Sequence, residues 1–420
     1  MSALGHAAPA DRTHRIRPMI GRDPHEGARA ATTLELLYDL VFVVAIGQAA
    51  NQLAHLVSEG HYGAGIGGFA FAMFAVLWAW INFSWFASAF DTDDWIYRFT
   101  TMIQMVGVTI LGLGLPQMFH SIDTGHGVDN RIMVAGYVVM RVAMVFQWLR
   151  AARQSPRHRA ACLTYVKVIL LAQIGWVATT FVHLTLITTA LIFVALLLIE
   201  MGGPYLAETR HGGTPWHAHH IAERYGLLAI IALGEGVIGT VASLSAVVEV
   251  QGWTTDAILV AVAGMGLTFG MWWCYFLLPA GEILHVHRQR SFLWGYGSLP
   301  VLAAIAATGA GLHVAALFIE HQAHIGEVAT VLALAVPVAM YLAGIYLLYS
   351  GLFADCDAFH ILLGILTAVV LIAGPLLAAA GVSMSVCLLV VMLAPVVTVI
   401  GYEMHGHRHL AKALERAVRA

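Results

Sequence analysis

Residues 34–57 read LELLYDLVFVVAIGQAANQLAHLV, a run whose only ionised side chains are Glu35 and Asp39. A membrane span needs about 20 mostly apolar residues, so this run is long enough to cross a bilayer as one helix. It is too long, and alternates too little, for a strand. Eleven more runs of the same kind follow, at 64–90, 100–119, 131–149, 161–181, 183–203, 221–247, 255–279, 293–317, 327–349, 358–380 and 383–402. The fifth and sixth are parted only at Phe181–His183, so they read either as two spans or as a span with a re-entrant hairpin. The expected fold is an all-α polytopic membrane protein with twelve transmembrane helices.

Composition agrees. Of 420 residues, 60% are hydrophobic and 11% charged, against about 25% charged in soluble domains. Mean hydropathy is +0.79. A net charge of −3 leaves no basic footprint for nucleic acid. The four cysteines are scattered without a C-x-x-C pair, so neither a disulfide framework nor a zinc knuckle is expected. No H-E-x-x-H, G-x-S-x-G, Walker loop or strand-borne G-x-G-x-x-G occurs, so no catalytic residue is assigned and no cofactor is expected.

Positive charge supports the count. With the N-terminus inside, all but four of the 21 Lys and Arg fall on the inner side. The exceptions are Arg131 in an outer loop and Arg141, Lys167 and Arg224 within spans. That bias is the positive-inside pattern for both termini cytoplasmic. The expected division is a polar cytoplasmic tail (1–33), a first six-helix half (34–205), a His-rich linker (206–220), a second half (221–402) and a basic, His-rich tail (403–420).

The two halves share an internal signal. YDLVFVVAIGQAA (38–50) aligns without gaps to YGLLAIIALGEGV (225–237), placing Gln48 opposite Glu235. WFASAFDTDDWIYR (85–98) lies against YFLLPAGEILHVHR (275–288) at a similar offset. Six helices is an even number, so two similar halves would share one orientation, related by an axis along the membrane normal.

LELLYDLVFVVAIGQ, with HIAERYGLLAIIALGEGV in the middle of the chain, resembles the bacterial low temperature requirement A (LtrA) family. WWCYFLL (272–278) and WGYGSLP (294–300) are similar in place and kind. The family often has histidine where this chain has Ser298, a departure that puts any role of that position in doubt. The resemblance implies an integral membrane protein of the bacterial inner membrane; it implies no substrate or reaction.

Polar residues inside spans mark candidate sites, because a charge at mid-bilayer costs about 2.5–3.5 kcal/mol or more. Glu35 and Asp39 share a helical face near the inner end of the first span. They read either as interfacial partners of arginines such as Arg98 or Arg150, or as an ion site or gate. Glu223 and Arg224, opening the seventh span, read as an interfacial pair. Glu235 lies about 21 Å beyond Ile221, flanked by Gly234 and Gly236, which allow a local helix break. Arg141 is the natural counter-charge, for Glu235 or Asp39. His217, His219 and His220 are weak metal-ligand candidates, since ligands must converge in space. These residues point first to a secondary transporter or permease, possibly proton-coupled, working near Glu235, Gln48 and Arg141. Its partners would be the lipid bilayer and a small solute or ion. A non-transporting accessory protein for membrane or envelope adaptation, an ion channel and a membrane-embedded lipid-modifying enzyme are the alternatives.

Overall fold

The computed structural model describes residues 16–24, 26, 29–125, 127–182, 185–353, 358–408, 410, 411 and 414. Twelve helical segments are long and apolar enough to cross a membrane, and no strand occurs among the described residues. The first six are single helices: α1 (Thr33–Ser58), α2 (Tyr62–Phe90), α3 (Trp95–Asp123), α4 (Arg131–Gln154), α5 (Arg159–Thr179) and α6 (Leu186–Arg210). Spans five and six are therefore separate helices. The seventh span is divided into α7 (Ala218–Ala232) and α8 (Gly234–Gln251), and the eighth into α9 (Thr255–Phe276) and α10 (Ala280–Val286). Then come α11 (Ser291–Ile319), α12 (Glu327–Phe353), α13 (Ala358–Ala379) and α14 (Met384–Gly401). Half of the C-terminal tail, His409 included, lies outside the described residues.

Local chemistry sets the ends. Thr32 and Glu35 form a reciprocal capping box at α1, while Asp94, Thr185, His217 and Thr254 cap α3, α6, α7 and α9. α6 runs seven residues past the expected end at 203, straight through Gly202, Gly203 and Pro204. Lipid offers the backbone no alternative hydrogen-bond partner, so a helix persists through a proline that would end it in water. The seventh span does break where the glycines allow, at Leu233.

α1 packs against α2, α3, α7 and α11, and so stands at the centre of the bundle. α11 lies in the most enclosed span, followed equally by α2 and the span of α14, whereas α6 and α13 are peripheral. Lipid-facing side chains such as Val44, Leu113 and Leu347 are each more than 70% exposed, which only an apolar surround would allow. Glycines bring some backbones nearly into contact. A Cβ on Gly107 of α3 would lie 2.7 Å from the Gly136 carbonyl oxygen of α4, and one on Gly239 of α8 2.7 Å from that of Gly309 on α11.

Residues 16–24 and 29–32, within the polar N-terminal tail, form a strap across the face where α2, α4 and α7 end or begin. The Arg22 amide donates to the Ala89 carbonyl (2.9 Å), the Met19 amide to Gln154 Oε1 (2.7 Å), and Ser155 Oγ to the Ile20 carbonyl (2.9 Å). Met19 is 1% exposed, so the strap is packed as well as hydrogen-bonded.

Candidate functional site

Beneath the strap lies a fully buried charge cluster. Glu35 Oε2 accepts from the Thr32 amide (2.8 Å) and hydroxyl (3.0 Å), which fixes its rotamer through the cap. Its Oε1 faces His220 Nε2 at 3.2 Å and Arg224 Nη1 at 3.3 Å. One turn on, Asp39 Oδ1 accepts from Arg224 Nη2 (2.5 Å) and Trp80 Nε1 (2.6 Å). The shared face of Glu35 and Asp39 thus turns towards α7 and closes on a single guanidinium. That guanidinium is also 5.6 Å from the Trp80 ring centre. Asp39 Oδ2, Arg224 Nε and His220 Nδ1 have no hydrogen-bond partner among the described residues. Two carboxylates thus share one guanidinium, with His220 beside them.

This arrangement corrects three pairings. Arg98 is held by Asp93 (2.8 Å) and Arg150 by Asp94, so neither serves Glu35 or Asp39. Glu223 is exposed and makes no ion pair with Arg224, because adjacent helical residues point about 100° apart. Arg141 turns to neither Glu235 nor Asp39; its partner is Glu200 of α6, at 2.6 Å.

Glu200 is the acceptor of a second buried cluster. Trp78 Nε1 (2.5 Å), Trp176 Nε1 (3.0 Å) and the Tyr137 hydroxyl (3.1 Å) all donate to it besides Arg141, which also bonds Tyr137. Sequence reasoning passed over Glu200 because it lay three residues from an expected helix end. With α6 running to Arg210, ten residues remain beyond it, about 15 Å of helix. An acid within LIFVALLLIEMGG was the available signal.

Glu235 differs from both clusters. It stands midway along the 34-residue seventh span, in the first turn of α8 after the break at Leu233. Its carboxyl lies directly over Gly47 of α1, and its backbone lies against Gly309 of α11. It is 9% exposed and makes no hydrogen bond or ion pair among the described residues. Gln48, next to the contacted Gly47, is half-buried. Glu235, Gln48 and Arg141 therefore do not form one site: Arg141 belongs to the Glu200 cluster.

The histidine triplet diverges. His217 Nδ1 accepts the His220 amide (3.2 Å) and its Nε2 faces the Glu26 carbonyl (3.0 Å), while His220 turns to Glu35. The His219 ring meets that of His285, 5.5 Å away. No group of three or more His, Cys, Asp or Glu side chains able to hold a metal occurs among the described residues. Ser298 is fully buried, its hydroxyl donating to the Trp294 carbonyl (2.7 Å).

The strap is fastened above the first cluster by Arg29, which donates to the Ser88 (2.5 Å) and Ala87 (3.0 Å) carbonyls and lies 3.5 Å from Asp91. Burial, with the nearby charges of Glu35 and Asp93, pushes the Asp91 carboxyl up to about 6, although Arg29 opposes the shift. Burial also acts to raise Asp94, but the bonds from Arg150, the Tyr97 amide and the Arg17 amide prevail and hold it below its ordinary range. A raised carboxyl favours the packed state when protonated. The Asp91 contribution is thus present at low pH and lost as pH rises through about 6. Strap docking is expected to weaken between about pH 4 and pH 6, read from the mobility of a spin label on Ile16→Cys, and Asp91→Asn is expected to flatten that dependence. An unchanged pH profile in Asp91→Asn would assign the effect to another group.

The sequence model of the Bacterial low temperature requirement A protein (LtrA) family matches residues 30–395, and the chain belongs to this family. It is also similar to a protein of Rhizobium meliloti (strain 1021) named uncharacterized protein RA0937, 25% identical over 296 residues, spanning 66% of this chain and 67% of that one. No solved structure matches it. The family and the twelve apolar helices make it a bacterial multi-pass membrane protein.

Proposed function

We propose that this LtrA-family protein is a secondary transporter of the bacterial inner membrane, coupled to protons, that moves a small solute or ion along the seam of α1, α8 and α11. The observation that carries the reading is Glu235. Glu35, Asp39 and Glu200 each have a cationic partner, whereas this mid-span carboxyl has none among the described residues. An ionised side chain in that position is costly without a counter-charge, so its charge is best met by a proton or a cation. The interrupted helix beside it is the form that transporter sites take, since a break frees backbone groups to meet a ligand.

The order of helix neighbours supports two related halves. Spans one to six share the contacts 1–2, 1–3, 3–4, 4–5 and 5–6, and spans seven to twelve the contacts 7–8, 7–9, 9–10, 10–11 and 11–12. The match is partial, since α9 also packs closely on α14 without an equal contact of α2 with α6, and α2 packs on α3 without an equal contact of α9 with α11. Glu235 then stands at the junction of the halves, with Gln48 as its counterpart in the repeat. The excess of arginines on the strap face favours both termini in the cytoplasm.

The test is proton and cation flux in sealed proteoliposomes across an imposed pH gradient. Wild type is expected to carry saturable flux, and Glu235→Gln to lose it while keeping its unfolding midpoint. Normal flux from the folded variant sinks the proposal, and single-channel currents would replace it with a channel.

A further inference from the structure

On the strap face, a concavity of about 520 Å³ opens where four segments meet. The strap supplies Arg22 and Asp23, the turn between α4 and α5 supplies Arg157 and His158, the loop before α7 supplies Thr214, and the turn before α11 supplies Arg288. Three guanidinium groups line it against one lining carboxylate. Arg22 is paired with Glu26 at 2.9 Å. Arg157 is exposed and makes no hydrogen bond or ion pair among the described residues. Arg288 is held rigidly: its guanidinium stacks 3.8 Å over the Trp216 ring and Nη2 donates to the Trp216 carbonyl (2.8 Å). Its Nε and Nη1 have no protein acceptor among the described residues. His158 is oriented too, its Nδ1 2.9 Å from Ser155 Oγ.

Like charges in one concavity repel, and a bound anion offsets that repulsion. A guanidinium fork matches the oxygens of a phosphate in pairs, and one of the forks here is pre-oriented by stacking. The space is several times that of one phosphate group. From this geometry we infer that the groove between the strap, Arg157 and Arg288 is a binding site for a phosphate-bearing anion, either a soluble phosphate compound or the headgroup of an anionic lipid. Because Arg22 and its neighbours belong to the strap, the bound anion ties the strap to the α4–α5 turn and the α10–α11 turn. It thereby favours the closed position of the strap over the Glu35–Arg224 cluster.

The test uses the full chain in phosphatidylcholine nanodiscs, with inorganic pyrophosphate titrated by calorimetry. A parallel arm uses nanodiscs that also contain phosphatidylglycerol, with retained lipid read by native mass spectrometry. Wild type is compared with Arg157→Ala, Arg157→Glu and Arg288→Gln, and with Arg153→Ala/Arg159→Ala as a control outside the groove lining. The Arg157 side chain is exposed and makes no hydrogen bond or ion pair among the described residues, so its variants keep the test valid if Arg288→Gln fails to fold. Pyrophosphate binding that weakens about tenfold or more in the groove variants, falls with salt and survives in the control supports a soluble source. Phosphatidylglycerol retention with that same variant pattern, without pyrophosphate binding, supports the lipid source. Absence of both, or equal loss in the control, overturns the site.

Discussion

Glu200→Leu is expected to destabilise the protein by about 3–5 kcal/mol, the usual cost of stripping one partner from a buried ion pair. The reason is the number of donors that converge on one carboxyl. Without it, Arg141 keeps a single bond to Tyr137, and the indole N–H groups of Trp78 and Trp176 lose their acceptor within the core. Arg141→Met removes only one of the four donors. The remaining carboxyl keeps Trp78, Trp176 and Tyr137 and can be discharged by a proton, so the cost is expected to be nearer 1–3 kcal/mol, that of one lost charged hydrogen bond. Reversible unfolding in mixed micelles, comparing the two variants in one background, reads the difference. An Arg141→Met variant as unstable as Glu200→Leu would show that the ion pair alone, not the shared acceptor, holds α2, α4, α5 and α6 together.

Arg224→Met is expected to cost a similar amount, about 3–5 kcal/mol, for a different reason. It leaves two carboxyls of α1, Glu35 and Asp39, buried four residues apart without their common cation. The distinctive consequence is rescue. Asp39→Asn added to Arg224→Met is expected to restore part of the loss, because an amide can still accept from Trp80 and carries no charge. The same Asp39→Asn in the wild-type background is expected to be destabilising, because it weakens the 2.5 Å bond from Arg224. The two effects have opposite signs, so a double-mutant cycle decides. An additive result would mean that Arg224 and Asp39 do not act as a unit.

The pattern of correct and corrected readings follows the range over which each determinant acts. The i,i+4 spacing of Glu35 and Asp39 was enough to place them on one face, yet Arg224, their partner, is 185 residues beyond Asp39 in sequence and was read with its neighbour Glu223. Glu235 was legible because an acid between two glycines in an apolar run is unusual by itself. Glu200 was not, because its depth depended on α6 continuing through Pro204. Arg29 looked like one arginine of a soluble tail, and only the docked strap puts it against Asp91 and the Ser88 carbonyl.

Sequence alone determined the all-helical class, the twelve spans and the placing of Glu235 deep within the seventh, at first beyond the midplane. These are local matters: hydrocarbon forces each backbone group to find its partner within its own segment, so length and apolarity suffice. Tertiary structure alone decided that Arg224 serves α1, that Arg141 serves Glu200, that Glu235 is left without a counter-charge among the described residues, and that the first described residues close over one face. Those outcomes depend on which helices stand side by side. In an apolar surround, the helices are brought together by close glycine contacts and by the need of each buried charge for a partner, and neither is visible within a single span.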